Sequence, residues 1–157
     1  MRLAATALLF LALLLAAIAL TTGEPPRASS IGVEAGSPGG AGDTTWIVVG
    51  GENLTARVAD TPGERYCGYY CYDTPAIVFV WPQGAPSSVT FTMEGLGFPV
   101  TLLHIRDCRV VDATVMEPDN KYTVGGVLPG DWFVEVRGRF DTPIGSPVYT
   151  PLCAMDG

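Results

Sequence analysis

The sequence is poor in basic residues, and this scarcity argues against one class of partner. It has 9 Lys and Arg against 16 Asp and Glu, for a formal net charge of −7, and Lys121 is its sole lysine. No segment clusters Lys and Arg. Because nucleic-acid binding draws much of its affinity from the neutralisation of phosphates, we predict that the protein has no nucleic-acid partner.

Sequence signatures of common catalytic and metal sites are also missing. The chain has one histidine, His104, and no G-x-S-x-G, P-loop or H-E-x-x-H segment. One histidine makes a Cys/His zinc site weak. The carboxylates available for acid–base chemistry show no paired spacing: Asp60, Glu64, Glu94, Glu117 and Glu135. We therefore predict no metal and no cofactor, and we favour a non-enzymatic role.

Charged residues are scarce overall, whereas turn residues are plentiful. Asp, Glu, Lys and Arg make up 16% of the chain, against about 25% in a typical soluble domain. The 19 Gly and 13 Pro residues are typical of many turns joining short strands, and they argue against a helical bundle. At 157 residues, the chain has room for one ordinary domain with a hydrophobic core.

The longest apolar run lies near the N-terminus, from Leu3 to Leu20, and contains no charged residue. As a helix it would be about 27 Å long, just enough to span a bilayer core. Its length favours an uncleaved membrane anchor, since signal peptides usually have apolar runs of about 7–15 residues. A cleaved signal peptide stays open, because residues 17–19 form a small-x-small site. Both interpretations make the membrane a partner and place the domain outside the cytoplasm, either anchored or secreted.

Composition divides the chain into three segments. Residues 1–22 are the signal peptide or membrane anchor. Residues 23–43 are rich in Gly, Pro and Ser, and we expect them to form a disordered linker. Residues 44–157 are the folded domain, which the sequence predicts to be rich in β-strands.

Short β-branched and aromatic runs, separated by Gly and Pro, predict seven or eight strands in this domain. Seven runs cover residues 44–49, 54–59, 76–81, 87–93, 100–105, 109–116 and 131–136. Residues 122–124 and 148–150 are shorter candidates for a further strand. One short helix is predicted over residues 62–70, since Pro62 suits the first helical position. Asp60 or Thr61 supplies the cap, and Glu64 is placed to reach back to free backbone amides. The expected fold is a small, mostly antiparallel β-barrel or sandwich with one short helix, preceded by an N-terminal hydrophobic helix.

Four cysteines in a domain placed outside the cytoplasm predict two disulfides. They are Cys67, Cys71, Cys108 and Cys153. The favoured pairing joins Cys67 to Cys71 and Cys108 to Cys153, although one helical turn between the first two suits a disulfide poorly unless the helix ends early. The other two connectivities, free buried thiols and a metal or redox role stay open, but the C-x-x-x-C spacing differs from the redox C-x-x-C motif.

Several further residues are candidates for a specific role. Asn53 begins an N-glycosylation sequon beside a predicted turn. His104 alternates with apolar residues in a predicted strand, which is typical of a half-buried structural histidine, and catalysis is the minor alternative. The tryptophans Trp46, Trp81 and Trp132 are expected in the core, and an aromatic binding platform is the alternative.

An ordered series of short motifs resembles a known family. Residues 58–65 read V-A-D-T-P-G-E-R, followed by Gly68, and are similar to the V-A-D-T-P-x-E-R-x-x-G opening of the uncharacterised family called domain of unknown function 192, or DUF192. Further similarities follow in order: I-V-F-V (77–80) to M-L-F-V-F, F-T-M (91–93) to F-W-M, P-V-T-L (99–102) to P-L-D-I, R-V-V (109–111) to G-R-V-V, F-V-E (133–135) to V-L-E, and I-G (144–145) to I-x-x-G. The resemblance covers about residues 54–148. It implies a small β-barrel-like domain, often secreted or membrane-tethered, with no assigned activity.

Three polar positions depart from the family pattern. Glu94 stands where the family has a lysine, Thr101 where it has an aspartate, and Thr92 where it has an aromatic residue. If those positions form a family site, this chain has altered or lost it. The four cysteines are a further addition.

The leading interpretation is an extracytoplasmic binding or accessory module. Its candidate binding residues are Glu64, Trp81, Met93 and Glu94, and its ligand is an unspecified small molecule or envelope component. The first alternative is an enzyme that acts on a cell-envelope substrate through Glu64, Glu94 or His104. The second is a purely structural envelope protein.

Overall fold

The computed structural model describes residues 43–154, which hold eight β-strands, one α-helix and a final 3-10 turn. The predicted hydrophobic helix from Leu3 to Leu20 and almost all of the predicted linker lie outside these residues. Within the described part of the chain, no helix is long and apolar enough to cross a membrane. The elements are β1 (Thr44–Val49), β2 (Glu52–Ala59), α1 (Pro62–Cys71), β3 (Ala76–Phe79), β4 (Ser88–Thr92), β5 (Val100–Arg106), β6 (Arg109–Met116), β7 (Lys121–Gly125), β8 (Trp132–Arg137) and the 3-10 turn (Pro151–Ala154).

The strands form two sheets. The larger has six strands in the order β1-β2-β3-β8-β5-β6, and the smaller pairs β4 with β7. All neighbours are antiparallel except β2 and β3, which run parallel. A parallel pair requires a crossover connection, and α1 provides it. The prediction of a mostly β domain with one short helix is confirmed.

Of the two expected architectures, barrel or sandwich, the described residues do not form a closed barrel, because the edge strands β1 and β6 do not pair with each other. The C-terminal segment makes one bridge to each instead, Val48 with Tyr149 and Arg109 with Pro147. Residues 148–150, a candidate strand, therefore form no regular strand. Pro147 and Pro151 flank this segment, and proline has no backbone N–H to donate to a continuous ladder.

The central strand β8 separates two hydrophobic cores. It lies between β3 and β5, and residues 132–136 are all buried. Its side chains alternate between the faces of the sheet. Phe133 packs against Phe91 in one core, whereas Val134 belongs to the other. Glu135, two residues after Phe133, consequently lies on the Phe133 face.

The small sheet and α1 cover the Phe133 face. Val89 and Phe91 of β4 and Tyr69 of α1 belong to the same buried cluster as Phe133. Burial alternates along β4, since Val89 and Phe91 are buried while their neighbours are exposed. This layer on one face of the large sheet forms the candidate site.

The prediction of a buried Trp46 is wrong, whereas Trp132 is buried as expected. Trp46 is 46% exposed because it lies on the edge strand β1, where it alternates with the buried Ile47 and points away from the core. Burial of every second residue is the rule for a strand with one solvated face.

Candidate functional site

A cavity of about 790 Å³ lies between α1, β4 and the large sheet. Small-molecule sites in proteins commonly enclose about 300–1,000 Å³, so the cavity has the size of a ligand pocket. Its walls are largely aromatic and apolar. The lining residues are Pro62, Arg65, Tyr66, Cys67, Gly68, Tyr69, Tyr70, Cys71, Phe79, Trp81, Val89, Thr90, Phe91, Thr92, Glu94, Leu96 and Glu135.

A capping box fixes the start of α1. The Thr61 hydroxyl accepts a hydrogen bond from the Glu64 backbone N–H, and Glu64 Oε2 accepts from the Thr61 backbone N–H at 3.2 Å. This reciprocal pair satisfies amides that the first helical turn leaves free. Burial by itself would raise the pKa of Glu64, but the hydrogen bonds from Thr61 hold it below its ordinary value.

Glu64 is therefore part of the helix cap. It is 6% exposed and does not line the cavity, although it was a candidate binding residue. Met93, another candidate, is fully buried in the core and does not line the cavity either. Trp81 and Glu94, the other two candidates, both line it.

The second half of α1 forms a wall of the cavity and carries the predicted local disulfide. Cys67 and Cys71 are joined, with their Cα atoms 5.5 Å apart. Gly68 between them leaves helical geometry, with φ of 46° and ψ of −138°. This interruption removes the obstacle that a regular helical turn presents to the pairing, because glycine adopts a positive φ at little cost. The second disulfide, Cys108–Cys153, joins the β5–β6 turn to the C-terminal segment.

Glu135 lies at the buried end of the cavity. It is 6% exposed, and its carboxylate has no hydrogen bond or ion pair among residues 43–154. Removal from water disfavours the charged form, and this burial raises the pKa of Glu135 to about 8. The carboxyl group is therefore mostly protonated at pH 7. A neutral acid in an apolar cavity is both a hydrogen-bond donor and an acceptor.

Tyr69 covers one side of Glu135 and is engaged with backbone groups. Its hydroxyl donates toward the carbonyl oxygens of Glu135 and Pro75, at 3.0 and 3.2 Å. Burial first, and then the nearby Glu135 carboxyl, raises the pKa of Tyr69 well above its usual range. The guanidinium centre of Arg137 is 5.3 Å from the Tyr69 ring. Tyr69 therefore holds α1 against β8 and contributes an apolar ring to the cavity.

The rim of the cavity is fixed by side-chain contacts to backbone oxygens. Arg65 donates from Nη1 to the Val80 carbonyl oxygen at 2.7 Å and also to the Asp60 carbonyl oxygen. Its guanidinium centre lies 5.1 Å from the Trp81 ring, within the range of a cation–π contact. The Tyr70 hydroxyl donates to the Glu94 carbonyl oxygen. These bonds hold α1 beside β4 at the mouth of the cavity.

The wall opposite α1 is β4. Among the described residues, β4 pairs with β7 alone, and residues 89–92 all line the cavity. A strand that pairs on one side has N–H and C=O groups along its other edge. The cavity therefore offers backbone donors and acceptors in addition to its aromatic walls.

His104 lies in a different polar group, away from the cavity lining. Its Nε2 is 2.7 Å from Asp131 Oδ2, and Arg106 donates to both oxygens of Asp131 at 2.9 and 2.7 Å. The Leu128 backbone N–H also donates to Asp131. Burial would raise the pKa of Asp131, but these bonds, led by that from Arg106, lower it to about 2.

The contacts of His104, Arg106 and Asp131 are those of a cluster that stabilises the fold. The His104 ring is buried, not half-buried as expected, and stacks on Phe133 with ring centroids 4.6 Å apart. Arg106 also donates to the Gly126 carbonyl oxygen, so the group fastens the β7–β8 loop to β5. Three His, Cys, Asp or Glu side chains do not come together as a metal site anywhere in residues 43–154.

Asn53 is exposed near the start of β2, opposite Val48 of β1. The sequon is thus accessible, and its glycosylation stays a prediction.

Sequence reasoning overlooked Glu135 as a site residue. It appeared as one of several scattered carboxylates, although a useful signal was present: a single charged side chain inside the apolar run of residues 132–136. Buried acidic residues are rare unless paired, so an acid in a central strand marks a position worth attention. Its place in the cavity depends on α1 and β4, which are distant in sequence.

Comparison with known proteins places the fold but gives no activity. No family model matches the chain, and no curated protein matches it in sequence. A solved structure from Sinorhizobium meliloti 1021, described as a proposed transcription regulator, is similar with a TM-score of 0.58 at 16% identity, covering 73% of this chain and 98% of that chain. A protein of unknown function from Novosphingobium aromaticivorans DSM 12444 is similar with a TM-score of 0.51 at 16% identity, covering 68% of this chain and 83% of that chain. At this identity the likeness concerns the fold alone.

Proposed function

We propose that the protein is an extracytoplasmic binding module that holds a small, largely apolar ligand in the cavity between α1 and β4. We base this proposal on the cavity itself, which combines about 790 Å³ of space with aromatic walls and the buried Glu135. Ligand pockets are typically apolar with a small number of polar groups that orient the ligand. Glu135 and the unpaired edge of β4 supply such groups.

The chemistry of the cavity favours binding over catalysis. Glu135 has the raised pKa that marks some catalytic acids. However, Tyr69 is committed to backbone carbonyls, and His104 and Glu64 lie outside the lining. General acid–base catalysis on a bound substrate usually requires a second positioned group. An enzyme acting on an envelope substrate through Glu135 and Glu94 is the alternative, and turnover of the bound compound would reveal it.

The compartment and family belong to the same proposal. Two disulfides indicate an oxidising environment, and we place the domain outside the cytoplasm, tethered by residues 1–22 or secreted. We also propose that the chain is a divergent member of the DUF192 family, on the ordered motifs of residues 54–148. The net charge of −7 supports a partner other than nucleic acid.

Binding can be tested with two matched variants of one hydrogen-bonded pair. Thr90 and Thr123 face each other across β4 and β7 with their hydroxyl oxygens 2.9 Å apart, but Thr90 alone lines the cavity. In a screen of small apolar compounds, at least one compound should bind and raise the melting temperature of the wild-type domain and of the Thr123→Phe variant. Thr90→Phe should reduce that response, because it places a bulky ring at a residue that lines the cavity. Equal responses from both variants, or no ligand in the screen and none retained in native mass spectrometry, would overturn the proposal.

Tryptophan fluorescence gives an independent measurement of the same event. Trp81 lines the cavity, whereas Trp46 and Trp132 do not. A ligand that shifts the emission of the wild type should still do so in Trp46→Phe and should fail to do so in Trp81→Phe. A signal that survives removal of Trp81 would locate the ligand elsewhere.

A further inference from the structure

We propose that the ligand carries a protonated amine, and that Glu135 is the counter-ion that receives it at the buried end of the cavity. This inference rests on the proposed binding function and adds the chemical class of the ligand. It begins from a carboxyl group that is 6% exposed, lines the cavity and has no polar partner among the described residues. Buried polar groups in proteins nearly always have partners, so an unpartnered group in an open cavity points to a bound one.

The walls around Glu135 suit a cation attached to an apolar body. Aromatic rings attract cations through their faces, and six aromatic residues line the cavity: Tyr66, Tyr69, Tyr70, Phe79, Trp81 and Phe91. A carboxylate surrounded by such rings satisfies both the charge and the apolar body of an alkyl or aryl amine. A carboxylate ligand would instead meet an acid at the buried end and Glu94 at the rim.

The arginines on this face of the large sheet make other contacts. Arg57, which shares the face with Glu135 through Ile77, has its guanidinium centre 4.2 Å from the Tyr72 ring. Arg65 lines the cavity, but its Nη1 donates to two backbone carbonyl oxygens. Arg137, two residues along β8 from Glu135, has its guanidinium centre 4.4 Å from the Phe98 ring and pairs with Asp73 at 3.0 Å. Glu135 therefore has no internal counter-ion, and the net charge of −7 favours the approach of a cation over that of an anion.

Binding of an amine requires Glu135 to give up its proton. The titratable and charged groups on this side of the sheet are the Tyr69 hydroxyl from α1, Arg57 on β2 and Arg137 on β8. Arg65, Tyr66, Tyr70 and Glu94 also line the cavity, and Ile77 and Leu102 flank Glu135 on β3 and β5. The free protein holds a neutral carboxyl and the amine arrives as an ammonium ion. The complex contains carboxylate and ammonium, and one proton leaves to solvent. No covalent bond other than the carboxyl O–H is broken.

The test uses three probes of nearly equal shape: 4-phenylbutylamine, 4-phenylbutanol and 4-phenylbutyrate. Isothermal titration calorimetry of the wild-type domain in two buffers of different ionisation enthalpy measures both the affinity and the protons released. We expect the amine to bind at least about tenfold more tightly than the alcohol, and more tightly again than the butyrate. At pH 7 about 0.9 proton should leave per amine bound, given a pKa of about 8. The amine affinity should rise about tenfold from pH 6 to pH 7.

Two variants locate the effect. Glu135→Gln keeps the shape of the neutral acid but does not ionise, so it should lose the preference for the amine and the proton release while still binding the alcohol. Glu52→Gln removes an exposed carboxylate outside the cavity lining and should behave as wild type. The wild-type proton count tests the inference even if Glu135→Gln folds poorly.

The outcomes separate the two proposals. Binding of the alcohol or the butyrate as tightly as the amine, or amine binding without proton release, overturns the amine inference and leaves the binding pocket in place. Failure of all three probes to bind at millimolar concentration overturns the amine inference. If the screen of apolar compounds and native mass spectrometry also detect no ligand, the proposed binding function is overturned as well.

Discussion

The burial of the Glu135 carboxyl group destabilises the ligand-free protein at pH values where an exposed glutamate would be ionised. Its pKa rises from an ordinary value of 4.5 to about 8 in the folded state because of burial. The folded protein thus holds this proton more strongly than the unfolded chain does. The contribution of protonated Glu135 to stability is fully present below about pH 4.5, where the folded and unfolded states both hold the proton. It is lost as the pH rises to about 8, where the folded state begins to release the proton as well. Residues that are costly to stability and lie in cavities are frequent at functional sites.

Replacing this acid should stabilise the ligand-free protein. We expect Glu135→Gln to raise the free energy of unfolding at pH 8 by on the order of 4 kcal/mol relative to wild type, since glutamine has no charge to bury. Near pH 4 the two proteins should be similar. Urea denaturation at pH 4, 6 and 8 measures the difference. Glu52→Gln is the control, and an equal response to pH in wild type and Glu135→Gln would contradict a raised pKa at this position.

Residue-scale reasoning from the sequence succeeded where a side chain acts on its neighbours in the chain. The cap was predicted with Asp60 or Thr61 as the capping residue and Glu64 reaching back, and the structure shows Thr61 in that place, three residues before Glu64. The same local reasoning also made Glu64 a candidate binding residue, whereas its carboxylate accepts a hydrogen bond in the cap and does not line the cavity. The pairing of His104 with Asp131 spans 27 residues, and no local pattern contains it.

At the scale of the element, helix α1 contains one residue with non-helical backbone angles, Gly68. Two glycines of this helix allow a matched comparison. Gly68 has φ of 46°, whereas Gly63 has open space around it and no positive φ. Gly68→Ala should lower the free energy of unfolding by about 1–2 kcal/mol, because an L residue is strained at positive φ. Gly63→Ala should raise it by about 0.5–1 kcal/mol. Chemical denaturation of the two variants gives both values, and a stabilised Gly68→Ala would contradict the interrupted helix.

The two disulfides differ in what they stabilise. The Cys108–Cys153 disulfide links cysteines 45 residues apart in sequence, whereas the Cys67–Cys71 disulfide links cysteines 4 residues apart. The chain-entropy estimate gives about 4 kcal/mol for the first and about 2 kcal/mol for the second. Replacing both cysteines of a pair by serine should therefore cost more stability at the long disulfide. Ligand affinity should fall more at the short one, because Cys67 and Cys71 line the cavity.

Thermal denaturation and a ligand titration on the two double variants test this division. A variant lacking Cys108 and Cys153 that binds less well than one lacking Cys67 and Cys71, when both are folded, would contradict the assignment of α1 as the cavity wall.

At the scale of the whole molecule, two disulfides and a cavity lie in a domain preceded in sequence by an apolar run and a segment rich in Gly, Pro and Ser. We expect cell fractionation to place the full chain in the membrane or the medium. Alkylation followed by non-reducing mass spectrometry should detect no free thiol, because all four cysteines are paired. Recovery of the protein from the cytosol would overturn the proposed compartment, and four alkylated cysteines would contradict the disulfides.

The sequence by itself determined the β-rich class, the position of the helix and the number of disulfides. Each follows from side-chain alternation, turn chemistry or cysteine number, which are properties of neighbouring residues or of composition. The strand order β1-β2-β3-β8-β5-β6, the open edges of the large sheet and the placement of Glu135 beside α1 and β4 were decided by tertiary structure alone. These features depend on which segments, distant in sequence, pack together and exclude water. Many pairings of segments are possible, and the choice among them is made only when the whole chain folds.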